Sequence, residues 1–280
     1  MQSLFLGLTA ALLWGLHDFT VRKIGAKADA AALYLIVLVV GAVLLMPLAL
    51  GAGGWETLTP AVLGLCAAAG VVAAVAGYGL YRAFAIGPVR LVAPICGAFP
   101  LLSVGYAVAR GAEAGPMVWL GVIAVVGGIA VVARGETAEG EGAPRAAVAW
   151  ALMACVSFAA TFGLLQAAAE QAADLPVSLI SRLAACAAML IWVVVQRIDL
   201  KPALALWPTL SLMGALDVTA LTAVTVAGGF ARPEFASVAA SIFGIVTILL
   251  AWRFLGEALK PLQWAGAVVV FAGIAILGLV

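Results

Sequence analysis

The sequence predicts an all-α membrane protein of ten transmembrane helices, arranged as two inverted five-helix repeats. Three observations lead there. Of 280 residues, 66% are hydrophobic and 10% charged, against roughly 45–50% and 25% in an ordinary soluble domain. With a mean hydropathy of +1.23, too few polar residues remain to coat a water-facing surface, so the solvent must be largely lipid. The apolar residues fall in ten runs, each near the length of about 20 residues that a hydrocarbon layer of about 30 Å requires. The chain also repeats itself at an interval of 145 residues.

In order, the runs span residues 4–20, 30–50, 60–81, 91–109, 116–133, 146–169, 175–195, 206–228, 235–254 and 262–280. Strand-like alternation is absent and Ala, Leu and Gly dominate. Helices are therefore expected, because a helix satisfies its own backbone in lipid. The first run lacks a basic leader and is followed by Arg22, Lys23 and Lys27 with no small-residue cleavage site, so it reads as a retained helix. The longest hydrophilic stretch, residues 134–145, reads as a linker between a first repeat over 1–133 and a second over 146–280.

Shifting the chain by 145 places Gly111, Pro116, Trp119, Gly121, Val125, Gly128, Ile129 and Ala130 on Gly256, Pro261, Trp264, Gly266, Val270, Gly273, Ile274 and Ala275, and Pro88 on Pro233. Such a period marks a duplicated bundle. Five helices per unit is an odd number, so the second copy enters the membrane in the opposite sense. Lys and Arg crowd the odd-numbered connections, with Arg22, Lys23, Lys27, Arg82, Arg90, Arg134, Arg145, Arg197, Lys201, Arg253 and Lys260. The even connections hold only Arg110 and Arg232. The positive-inside rule then puts the odd connections in the cytoplasm and both termini outside it.

Several functions are excluded at once. A net charge of +1 leaves no polybasic face for nucleic acid. Cys66, Cys96, Cys155 and Cys186 sit in apolar runs without metal-ligand spacing and read as small buried hydrophobes, and the single histidine, His17, rules out a His-cluster zinc site. No cofactor is expected. The partners expected are the lipid bilayer and a small-molecule substrate, and nothing demands more than a monomer.

Residues 10–19, with their Leu-Leu-Trp-Gly core and His17-Asp18-Phe19, resemble the first helix of the EamA-type branch of the drug/metabolite transporter superfamily. The stretch Phe254-Leu255-Gly256-Glu257, a short turn, then Pro261-Leu262-Gln263-Trp264-Ala265-Gly266 resembles that branch's signature between its last two helices. In the first-half copy, Arg110-Gly111-Ala112-Glu113, the glutamate sits one residue late. The resemblance covers essentially the whole chain. It implies a secondary transporter in the bacterial inner membrane, with helices one, three, four, six, eight and nine around a cavity and five and ten peripheral. Bacterial exporters of amino acids, including the aromatic (YddG-like) group, are the most similar members; exporters of purines or other metabolites are the alternative.

Polar groups inside spanning helices cost about 2.5–3.5 kcal/mol for an ionised Asp at mid-helix, so each needs a use. Asp217 lies mid-way along the eighth run with Thr219, Thr222 and Thr225 after it. It reads either as a binder of a substrate ammonium or proton, or as an interhelical packing bond with threonines bonding their own backbone. His17 reads as cavity lining on the face of Trp14 and Leu13, or as a satisfied core histidine. Asp18 reads as structural, paired with Arg22 one turn on. Pro94, Gly97 and Pro100 must kink or unwind the fourth run, either to expose carbonyls to a ligand or merely for packing; its partner, the ninth, offers Ser237, Ser241 and Thr247. Ser157 and Thr161 join the polar candidates. Trp14, Tyr78, Phe99, Phe158, Phe162 and Phe243 fall mid-helix as candidate aromatic walls or core filler, Tyr78 standing between Gly77 and Gly79. Trp55, Trp119, Trp150, Trp207 and Trp264 read as interface anchors. Gly121, Gly127, Gly128, Gly266 and Gly273 read as close-packing positions. Arg182, early in the seventh run, reads as snorkelling to an interface. As the one candidate for a buried cation, it disfavours multiply anionic substrates. An intramembrane protease or a scaffold is the reading from another class. Neither is favoured: no Ser–His or paired-Asp motif is recognisable, and a scaffold needs no mid-membrane Asp217.

Overall fold

The computed structural model describes residues 1–109, 111, 113–133, 144–227, 230, 236, 239–257 and 259–279. Ser237, Pro233, Arg110, Arg232 and the polar stretch 134–143 lie outside them. The described chain is helical throughout: α1 Gln2–Ile24, α2 Ala30–Ala52, α3 Pro60–Ile86, α4 Val89–Gly97, α5 Phe99–Ala109, α6 Pro116–Ala133, α7 Pro144–Ala169, α8 Asp174–Val195, the single turn α9 Lys201–Leu204, α10 Trp207–Ala227, α11 Phe243–Leu255 and α12 Pro261–Leu277. Seven of these stretches are long and apolar enough to cross a membrane, α4 and α5 counting as one, and α6, α11 and α12 are shorter apolar helices. Starts are encoded locally. Asp29 accepts the Ala31 N–H at 2.8 Å, Thr59 accepts from Val62 ahead of Pro60, and Pro261 opens α12.

The expected break in the fourth run is present, and a second break matches it. Ala98 separates α4 from α5 with φ −79° and ψ 6°, and Ile242 precedes α11 with φ −79° and ψ 1°. The tightened turns repeat as well. Ala98 N–H bonds Ile95 O and Leu101 N–H bonds Ala98 O, while Ile242 N–H bonds Ala239 O and Ile245 N–H bonds Ile242 O. The same kind of three-residue turn interrupts both segments one residue off the repeat interval. Pro94 and Pro100 account for the first break. No proline stands in residues 239–242, so the second follows from the pseudo-equivalent packing rather than from a missing donor.

Packing runs mainly between the repeats. α3 lies on α7 and α1 on α10, α7 meets α4 and α5 as α1 meets α11, and α2 meets α8 as α6 meets α12. Neighbour directions are readable from the close contacts. In α6 and α12, Gly121 abuts Gly273 and Leu277 while Gly128 abuts Gly266 and Val270, so these helices are antiparallel. In α1 and α11, Gly7 meets Ala239, Gly15 meets Val246 and Phe19 meets Phe254, so these are parallel.

Four of the five glycines expected to permit close approach do so. Gly127 differs, with open space around it. A Cβ added at Gly128 would sit 2.7 Å from Gly266 O. Gly128→Leu should therefore lower stability by about 1–3 kcal/mol through overpacking, whereas Gly127→Leu should be neutral. Thermal unfolding in detergent measures both.

Candidate functional site

The polar groups of the bundle interior converge between α1, α2, α3, α8 and α10. Asp217 sits in the middle turn of α10 and is held from two sides. Arg182 Nη2 of α8 donates to Asp217 Oδ2 at 2.6 Å, and Trp14 Nε1 of α1 donates to Oδ1 at 3.2 Å. The expectation that Arg182 snorkels is thus corrected: its side chain is 10% exposed and its charge is neutralised inside the bundle. Depth along its own helix did not place it, because a buried carboxylate one helix away draws the guanidinium inward. Gly41 of α2 makes the room, since a Cβ there would strike Arg182 Nη1. Nη1 itself is buried with no hydrogen-bond partner. The Asp217 side chain keeps 26% of its surface exposed, against 10% for Arg182.

A second chain of bonds starts one turn further along α1. His17 Nδ1 lies 2.9 Å from Asp18 Oδ1 and His17 Nε2 lies 3.1 Å from the Tyr81 hydroxyl. The imidazole thus bridges the Asp18 carboxyl and the Tyr81 hydroxyl through its two nitrogens. The Tyr81 ring packs on Tyr34, centroids 5.1 Å apart, and the Tyr34 hydroxyl donates to Ala73 O at 3.3 Å. Gly77 admits the Tyr34 ring, so the space read as belonging to Tyr78 goes to a neighbour on α2. Two further corrections follow. Asp18 pairs with His17 and not with Arg22, because adjacent side chains can curl toward each other; Arg22 reaches Glu257 instead. Arg182 is also not alone as a buried cation, since Arg90 is 3% exposed.

The other candidates scatter. Phe99, Phe158 and Phe162 form one stack, Phe99 and Phe162 being 4.8 Å apart at 28°, beside the break that begins α5. Tyr78 stands edge-on to Trp150 at 5.5 Å and near Trp192, apart from the cluster. Trp150 is half-buried there, with Arg82 over its ring. Thr161 donates to Ser157 O, and Thr222 and Thr225 donate to Val218 O and Leu221 O. These threonines therefore satisfy their own helices, as the packing reading held. Pro94 is buried within α4, and Ser241 is half-buried in the turn before α11. Trp14 meets Phe243 edge-on at 6.4 Å, which links the Asp217 site to that same turn.

Among the described residues, no group of three or more His, Cys, Asp or Glu could hold a metal ion. The arrangement is a bundle-centred pair of opposite charges, backed by indole, phenol and imidazole groups. It can bind a small molecule carrying both charges or lying against aromatic rings.

Three comparisons bear on this geometry. The model of the EamA-like transporter family matches residues 1–134 and again residues 145–279. One protein of known crystal structure shares the fold, with a TM-score of 0.68 over 99% of this chain and 97% of its own at 14% identity. No curated protein matches.

Breaking the central pair singly leaves a buried charge without its partner, at a cost of about 3–5 kcal/mol, whereas removing both ends relieves it. Asp217→Asn and Arg182→Gln should each lower the melting temperature in detergent. The double variant should recover most of that loss, and failure to recover would show that the pair does not act as a unit.

Proposed function

Because the chain belongs to the EamA-like transporter family, whose members move small molecules across membranes, we propose that it exports amino acids, aromatic ones included, from the cytoplasm. It does so by alternating access across a bacterial inner membrane. In this reading the three shorter helices α6, α11 and α12 also span the bilayer, giving ten segments in two inverted repeats around a central cavity. The antiparallel seam of α6 and α12, the paired breaks at Ala98 and Ile242, and the parallel course of α1 and α11 all support that arrangement. Both termini face away from the cytoplasm, as the basic residues of the odd connections favour.

The observation that carries the substrate reading is the Arg182–Asp217 pair with its spare donor. A zwitterion offers a carboxylate to Arg182 Nη1, which has no partner, and an ammonium to Asp217, whose side chain is 26% exposed. The ligand substitutes for half of an existing ion pair, so net buried charge stays unchanged. Charge exchange of this kind keeps desolvation from opposing binding. Trp14, on the Asp217 carboxylate and edge-on to Phe243, supplies an aromatic wall for the side chain. A nucleobase has no carboxylate for Nη1, which sets the purine reading behind.

Purified protein in proteoliposomes preloaded with unlabelled phenylalanine should take up labelled phenylalanine by counterflow. The matching amino alcohol, lacking the carboxylate, should compete at least tenfold more weakly, as loss of a charged hydrogen bond implies. The stable Asp217→Asn, Arg182→Gln double variant should be inactive. Counterflow of nucleobases without amino acids would overturn the substrate assignment.

A further inference from the structure

The turn after α11 carries a second interaction between the repeats, at one end of the bundle. Gly256 ends α11 in the left-handed region, φ 70° and ψ 17°, and so turns Glu257 back over the helix ends of the first repeat. Glu257 Oε1 accepts from Arg22 Nε of α1 at 2.6 Å, and Oε2 accepts the Val89 N–H of α4 at 2.8 Å. Arg22 Nη1 in turn donates to Phe84 O at 3.1 Å in the last turn of α3. The α4 N-terminus has no side-chain cap of its own, because Pro88 occupies that place. One carboxylate from the second repeat therefore caps α4, pairs with α1 and, through Arg22, fastens α3.

Its position on the hinged segments gives this clasp a role. α4 runs from the clasp to the break at Ala98, and α11 runs from the break at Ile242 to the clasp. The two half-helices that can swing about the breaks are thus tied together at their free ends, and they pack on each other between. The repeat does not carry the same residues at the strict interval. The repeat interval puts Ala167 where Arg22 stands and Ala112 where Glu257 stands.

We propose that the Arg22–Glu257–Val89 clasp is the bolt of one gate, holding the end that the basic connections assign to the cytoplasm shut by charge. The empty carrier therefore rests closed on that side and opens there only when the ion pair is broken. This rests on the alternating-access reading, yet it concerns a conformational equilibrium that can be read without any substrate. A clasp of charge-assisted bonds, once lost, shifts such an equilibrium by about tenfold or more.

The reporter is Val21→Cys in a background where Cys66, Cys96, Cys155 and Cys186 are alanine. Val21 is fully buried beneath the clasp in one apolar cluster with Phe84 and Val89. Glu257→Gln keeps an acceptor for the Val89 N–H but loses the charge, and Arg22→Gln keeps the α4 cap. Each should raise the rate of maleimide labelling at position 21 by about tenfold when the reagent is added from the clasp side of oriented vesicles. Labelling from the opposite side should not rise. Unchanged labelling in both variants would overturn the bolt, as would an equal rise from both sides, which signals general loosening. Should either variant fail to fold, Arg22→Lys retains the charge but not the fork to Glu257 and Phe84. It should label at an intermediate rate, and wild-type protection in it would also overturn the proposal. Loss of counterflow with the labelling shift intact would count against the transport reading and leave the bolt standing.

Discussion

The salt bridge between Arg182 and Asp217 is the constraint around which the interior is arranged. Inside an apolar bundle an isolated charge is intolerable, and a pair is tolerable only when its geometry is good and its remaining donors and acceptors are met. Asp217 meets that demand through Arg182 and Trp14, so α1, α8 and α10 must converge at one depth. Gly41 must then be small enough to let the guanidinium lie flat against α2. The pair is incomplete at Nη1, which is buried without a hydrogen-bond partner, and the proposed binding role rests on that spare donor.

Superimposed on a nearly symmetric scaffold, the chemistry is asymmetric. Helix seams, breaks and neighbour directions recur in both halves, yet the interval that relates the halves puts Val37 opposite Arg182 and Val72 opposite Asp217. Among the described residues no second clasp of this kind is seen, and the strict interval puts Ala167 opposite Arg22. In the proposed carrier cycle the duplicated frame supplies two equivalent shapes, and the residues that break the symmetry supply the binding pair and the clasp.

Much of this frame was legible in the residues. The ten apolar runs, the interval of 145, the breaking prolines and the seven-residue spacing of Gly121 with Gly128 and of Gly266 with Gly273 all report local or periodic demands. Asp217 stood out because its cost in lipid is intrinsic to the residue. Its partner did not, because Arg182 is 35 positions away and nothing along α8 says which neighbour it faces. Tyr81 and Tyr34 carry no signal in the sequence for the same reason, and Gly77, although next to Tyr78 in the chain, makes room for Tyr34. The break before α11 carries no proline, so only its packing against the rest of the bundle exposes it. Glu257 was visible as a motif, whereas its bonds to Arg22 and Val89 depend on three chain segments meeting.

The seam between α6 and α12 carries an implication for ancestry. Gly121 faces Gly273 and Gly128 faces Gly266, so each half offers the other the very patch it receives. A surface that is its own complement is what two separate copies of a single half would share in a two-fold dimer with its subunits inserted in opposing senses. The glycine faces of α6 and α12 by themselves specify that association.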